Sequence, residues 1–256
     1  MGKKALLYAT MILWIGPLPW ETTGSFASLA DLEPSRSFFF TARKLGVAVL
    51  RATIRIDEAT EEDGKRLYRV FAEVRSLEAF RLLFRMNNRF TAVLEADRCL
   101  PLRYAKEIDQ GGLFFPKKRY HQVLHFESAH QRVVVEDEGN GEKREIALPP
   151  NTFDPLSMFG RCYLKEDIQP GREIPMSIFD GLRLRQMVLR PVRETVSLHG
   201  QEQEAICLWS STSFSTFGEK EGTLRICYSA DGRKTPLTLE VSLPVGTVKF
   251  ELDEAE

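Results

Sequence analysis

Ala48-Val49-Leu50-Arg51-Ala52-Thr53-Ile54-Arg55-Ile56 decides the fold class. Its even positions are all apolar, while Arg51, Thr53 and Arg55 fall between them. Successive side chains of a strand point to opposite faces, so this alternation predicts a strand with one buried face and one solvated face. Tyr68, Val70, Ala72 and Val74 repeat the pattern against Arg69, Glu73 and Arg75. The linking stretch ends in Asp63-Gly64, a dipeptide suited to hairpin turns. The period continues through Phe90, Ala92 and Leu94, through Leu102, Tyr104, Lys106 and Ile108, and into 120–126 and 132–136. Gly139-Asn140-Gly141 turns the chain towards 145–148.

The second half has the same grammar. Ile174, Met176 and Ile178 run into Asp180-Gly181, which reads as a hairpin turn. A long strand follows from Leu182 towards Val196, with Pro191 marking an edge or bulge. Segments 205–214, 224–228, 237–241 and 248–252 complete a meander of about fourteen strands. Two short helices are predicted within it. Ser76 to Arg85 places Leu77, Phe80, Leu83 and Phe84 on one helical face, with Ser76 as its cap. The second starts at Asp154-Pro155-Leu156-Ser157, where Asp suits the cap and Pro the first helical position. Leu156, Phe159 and Tyr163 then face the sheet. Pro149-Pro150-Asn151 is the best seam and joins two halves of one continuous sheet. The expected fold is mainly β: a large curved antiparallel sheet or half-open β-barrel with two short helices. Such a sheet hides its apolar faces by closing on itself or wrapping around helices, and wide barrels enclose ligand cavities.

The 256 residues carry a net charge of -1, which argues against a dedicated nucleic-acid binder. Met1-Gly2-Lys3-Lys4 is followed by an uncharged apolar run from Ala5 to Pro19 and then small residues around Ala27 and Ala30. That three-part pattern predicts a signal peptide over residues 1–30, cleaved near Ala27 or Ala30, with an uncleaved N-terminal anchor as the second reading. The run is shorter than the roughly 20 residues that span a bilayer, and Gly16, Pro17 and Pro19 break it. The mature chain, a single domain over 31–256, is then expected in the periplasm with no membrane span. Cys99, Cys162, Cys207 and Cys227 all remain in it. Cys207 and Cys227, in consecutive predicted strands, are the favoured disulfide pair. Buried free thiols are an equally weighted alternative.

Residue chemistry points to no reaction. His121 and His125 share one strand face with Glu127, but this spacing lacks a metal-ligand context, so solvent-facing histidines are expected. Ser157 lies outside any GxSxG elbow, and Asp154 with Ser157 is explained by helix capping. Lys117-Lys118-Arg119 and Arg183, Arg185 and Arg190 read as solvated strand faces, with anionic lipid head groups as a weaker second reading. No metal and no cofactor is called for. Phe38, Phe40, Phe80, Leu83, Phe84, Leu156 and Phe159 form an apolar reserve and are the candidates for lining a ligand cavity.

One set of motifs carries a family likeness. It comprises Phe40 to Gly46, Leu100-Pro101-Leu102-Arg103-Tyr104, and Asp154-Pro155-Leu156-Ser157-Met158-Phe159 with the Pro170-Gly171 turn. Asp180-Gly181 and the stretch from Tyr228-Ser229-Ala230-Asp231-Gly232 to Val245-Gly246 complete it. In these the chain resembles the bacterial domain-of-unknown-function family 3108 (DUF3108), whose members are exported envelope proteins. It departs from the family where Tyr228-Ser229 stands in place of a frequent Trp. The family is in turn similar to the lipoprotein-carrier (LolA/LolB-like) architecture, a half-open β-barrel with helices filling its mouth. That resemblance implies an apolar cavity for acyl chains, implies no catalysis, and transfers no functional residue. The expected activity is therefore non-enzymatic binding or carriage of a lipid or other amphiphile in the cell envelope. The alternative is a structural or assembly factor that binds an envelope protein partner through an exposed sheet edge.

Overall fold

The strands are laid down almost entirely in sequence order. The computed structural model describes residues 35–62, 64–113, 115–210, 223–243 and 246–256. The predicted signal peptide and its predicted cleavage positions lie outside these residues, as do Asp63 and the end of the predicted strand 205–214. Everything below belongs to one unit, Glu33–Glu256. The first half contains β1 (Arg36–Lys44), β2 (Val47–Glu62), β3 (Lys65–Ser76), β4 (Arg85–Glu95), β5 (Pro101–Gly112), β6 (Phe115–Glu127), β7 (Arg132–Asp137) and β8 (Glu142–Ala147). The second half begins with β9 (Thr152–Phe153), the helix α1 (Pro155–Leu164) and β10 (Ile174–Phe179). It continues with β11 (Leu184–Leu198), β12 (Gln201–Ser210), β13 (Leu224–Ser229), β14 (Pro236–Leu243) and β15 (Gly246–Ala255).

All fifteen strands form one sheet, ordered β8-β7-β6-β5-β4-β3-β2-β1-β15-β14-β13-β12-β11-β10-β9. The first and last strands pair, with Phe38 opposite Ala255 and Ala42 opposite Phe250. The sheet curves without closing, and its free edges are β8 and β9, the strands that flank Pro149-Pro150. Alternation sets the inner face as expected. Phe38, Phe40, Leu50, Ile54, Val70 and Leu94 are all buried. Pro191 sits where β11 has left its ladder with β10, which ends at Leu189, so its missing N–H falls beside an edge.

The segment 76–85 is not a helix. β3 stays paired through Ser76, opposite Leu50, and β4 is already paired at Arg85, opposite Gly111. Only a single 3-10 turn, Glu78–Phe80, fits between them. A ten-residue helix here would forfeit ladder hydrogen bonds at both ends. Ser76 caps nothing; its Oγ accepts from the Met86 N–H at 2.9 Å.

The second helix forms as its sequence dictates. Asp154 Oδ1 accepts from the N–H groups of Leu156 and Ser157, both at 2.9 Å, and Pro155 occupies the first turn. Leu156, Met158, Phe159, Cys162 and Tyr163 are buried against the sheet. Gly160 permits the approach, since a Cβ there would stand 3.2 Å from Leu94 and 3.3 Å from Val70.

Because every neighbouring pair of strands except the parallel β9–β10 pair is antiparallel, the connections fall into two rims. The first rim carries those after β1, β3, β5, β7, β10 and β14; the second carries those after β2, β4, β6, β11 and β13. The C-terminal end of α1 is fastened at the second rim. Arg161 donates to the Arg98 carbonyl at 3.0 Å, and Lys234 Nζ donates to the carbonyls of Glu166 at 2.9 Å and Cys162 at 3.2 Å.

Candidate ligand cavity

Between α1 and the inner face of the sheet lies a cavity of about 160 Å³. Leu156, Met158 and Phe159 supply the helix side of its wall. Ala52, Ile54, Ala72, Val74, Phe90 and Tyr104 line it from β2 to β5. Leu224, Ile226, Leu239, Val241 and Phe250 line it from β13 to β15. The space exists because Ala52 and Ala72 occupy inward positions where neighbouring strands place larger side chains. Thr53 and Glu73 also border it, and Glu73 is engaged by Arg75 at 2.6 Å and Arg89 at 2.9 Å. The wall therefore offers apolar burial, with Tyr104 the chief polar side chain behind it. Burial holds the Tyr104 hydroxyl well above its usual range, so it stays protonated.

At the head of α1, burial pushes the Asp154 carboxyl up to about 6 despite its hydrogen bonds from Ser157 and Leu156. Those bonds account for both of its oxygens, with the Ser157 hydroxyl donating to Oδ2.

A second polar feature lies where the β10–β11 turn meets the far half of the sheet. Lys106 is fully buried, and its Nζ donates to the Asp180 carbonyl at 2.5 Å. Burial lowers its ammonium to about 8 against the attraction of Asp180. Arg144 on β8 donates to the Gly181 carbonyl at 3.4 Å. Gly181 has φ +91, and a Cβ there would collide with Gln122 Oε1 and stand 3.1 Å from Lys106 Nζ. Gln122 Oε1 and the Tyr120 hydroxyl are buried without a hydrogen-bond partner. This cluster clasps the turn to β5, β6 and β8 across the gap between the sheet's free edges.

The predicted cavity residues scatter. Leu156 and Phe159 line the cavity. Phe38 and Phe40 are core residues on β1 outside its wall, with Phe38 set edge-on to Tyr163 at 5.4 Å. Phe80, Leu83 and Phe84 lie in the β3–β4 connection, where the Phe80 and Phe84 rings stack at 6.1 Å and Leu83 is 39% exposed. His121 and His125 pair with Glu138 at 2.6 Å and Glu136 at 3.9 Å. Cys207 and Cys227 face each other across β12 and β13 and are joined as a disulfide, while Cys99 and Cys162 are buried free thiols. Among the described residues, no helix is long and apolar enough to cross a membrane.

The family described as "Protein of unknown function (DUF3108)" matches residues 38–253, from β1 into β15. The chain belongs to the DUF3108 family. A crystal structure of a β-barrel-like protein of domain of unknown function DUF1849 from Brucella abortus is similar at a TM-score of 0.54 and 10% identity. The likeness covers 87% of this chain and 97% of that one, and it establishes a shared β-barrel-like fold. A comparison with curated proteins finds no match. What sequence reasoning missed in this DUF3108 chain is the clasp. The signal was present: Lys106 stands in the inward phase of its strand, between Tyr104 and Ile108, where a solvated lysine does not belong. The alanines of the cavity wall were equally visible, but a small inward residue marks a void only once the facing helix is in place.

Proposed function

We propose that this protein is a non-enzymatic, periplasmic binding or carrier protein for a lipid or other amphiphile. The observation that carries the reading is the cavity of about 160 Å³ walled by apolar side chains under α1. An engineered protein cavity of about 150 Å³ stays dry and accepts benzene, so one apolar group of that size fits without rearrangement. Burial at about 25 cal/mol per Å² supplies the affinity, and the ligand's polar part remains outside the wall. Export is supported by the basic start, apolar run and small residues of positions 1–30. Edge pairing with a protein partner has less support. The free strand β8 carries the four consecutive charged residues Glu142, Lys143, Arg144 and Glu145, a pattern that discourages strand addition.

The test is native mass spectrometry of the protein purified from envelope extract, followed by organic extraction and titration with N-phenyl-1-naphthylamine. A bound mass released as lipid, and probe binding weakened by the cavity-filling Ala52→Leu, are expected. A bare protein mass together with no probe binding overturns the proposal.

A further inference from the structure

The two rims differ in one respect that the cavity does not explain. Among the described residues nine large apolar side chains are exposed, and seven of them belong to the first rim. Leu45 and Val47 flank the β1–β2 turn, and Leu82 and Leu83 sit in the β3–β4 connection. Leu113 follows β5, and Leu182 and Leu184 mark the β10–β11 turn. At the tips the exposure is nearly complete: 95% for Leu45, 84% for Leu82 and 78% for Leu113. The second rim presents no such residue among those described. Its leucines, Leu100 and Leu148, are buried, and its turns are built from residues such as Asp97, His130, His199 and Asp231.

We infer that the first rim is a docking surface for an anionic lipid bilayer. The seven side chains are spread over four connections and are all aliphatic, unlike the aromatic-rich core of a protein–protein interface. Every leucine-bearing turn also has a basic residue close by in the chain: Lys44 beside Leu45, Arg81 beside Leu82, where it also pairs with Glu78 at 2.9 Å, Lys117 and Lys118 at the start of β6 after Leu113, and Arg183 between Leu182 and Leu184. Apolar tips that enter the acyl boundary, with cations at head-group level, are the pattern of interfacial attachment. The geometry also orients the molecule. The cavity wall reaches the strand ends at this rim through Val74, Leu224 and Val241, while α1 is fastened at the other rim. Docking by the leucine turns therefore turns the cavity side of the barrel towards the membrane. The surface itself stands on exposure and charge; only its use in delivering cargo rests on the carrier reading above.

The test uses the full chain with an environment-sensitive nitrobenzoxadiazole label on Leu82→Cys or, as control, on Arg233→Cys at the second rim. Cys99 and Cys162 are buried and Cys207 is bonded to Cys227, so the introduced thiol takes the label. Vesicles are phosphatidylcholine with phosphatidylglycerol at three to one. A blue shift at position 82 with none at position 233 is expected. The quadruple variant L45E/L82E/L113E/L182E should partition into vesicles at least about tenfold more weakly with an unchanged melting temperature. Raising salt should weaken wild-type binding, because screening shortens the reach of the basic residues. The apolar run at 5–19 is common to every variant, so it does not enter these differences. Equal shifts at both rims, or a quadruple variant that binds as wild type, overturns the inference. So does concentration-dependent self-association that the quadruple variant loses while wild type leaves vesicles unlabelled, since the rim would then be a contact between copies. Lipid extracted from the cavity is read separately, so failure of either proposal leaves the other standing.

Discussion

The sheet has two seams, and they are held by different chemistry. At the first, β1 and β15 bring the two ends of the described chain together through a backbone ladder from Phe38–Ala255 to Ala42–Phe250. Phe40 and Leu252 are buried inside it. At the second, β8 and β9 follow one another in sequence yet do not pair. Prolines 149 and 150 lie between them, with no N–H to donate and with φ restricted. Across that gap the contacts are side-chain ones: Lys106 on the Asp180 carbonyl and Arg144 on the Gly181 carbonyl. A ladder spreads its strength over many equivalent bonds and tolerates many sequences. A clasp depends on a few named atoms, and one of them titrates.

This contrast is broken or sharpened by substitution. The largest effect is expected at the ladder seam. Phe40→Ala empties a site that is 1% exposed and should cost about 3–5 kcal/mol. Urea unfolding should show the loss as one cooperative transition with a lowered midpoint. Damage confined to the amides of β1 would mean that the seam does not hold the whole sheet.

Next comes the titratable clasp. The Lys106 ammonium is lowered from 10.5 to about 8, so between those values the unfolded chain binds more protons than the folded one. Stability therefore rises with pH across that window, by about 3 kcal/mol from this group alone. Below about pH 8 both states are protonated and the full cost of burying the cation is present. Lys106→Met should remove this slope. The measurement is the difference in urea midpoint between variant and wild type at pH 7 and at pH 10.5; parallel curves would discard the clasp as the source.

Gly181→Ala should cost about 1–3 kcal/mol, because its backbone lies at φ +91 and its Cβ meets Gln122. Hydrogen exchange should quicken in β9 and β10 and stay unchanged at the β1–β15 seam. Arg144→Ala is the smallest step, under about 1 kcal/mol, since it removes a 3.4 Å bond made from an exposed strand. If either clasp variant melts the β1–β15 amides as fast as β10, the two seams are one cooperative unit and the distinction falls.

What the sequence by itself determined was whatever is decided within a few residues. Alternation assigned the inward faces of β2, β3 and β4, because the two-residue period of a strand is a property of its own backbone. Asp154 and Pro155 placed the start of α1, because capping is satisfied by neighbouring N–H groups. Tertiary structure decided the rest. The helical spacing of Leu77, Phe80, Leu83 and Phe84 lost to strand pairing with Leu50 and Gly111, partners 26 residues or more away along the chain. The cavity depends on Ala52 and Ala72 facing a helix that starts at Pro155. Lys106 finds its carbonyl at Asp180, 74 residues on. Such contacts join positions that no local period connects, so only the curling of the open sheet around α1 brings them together.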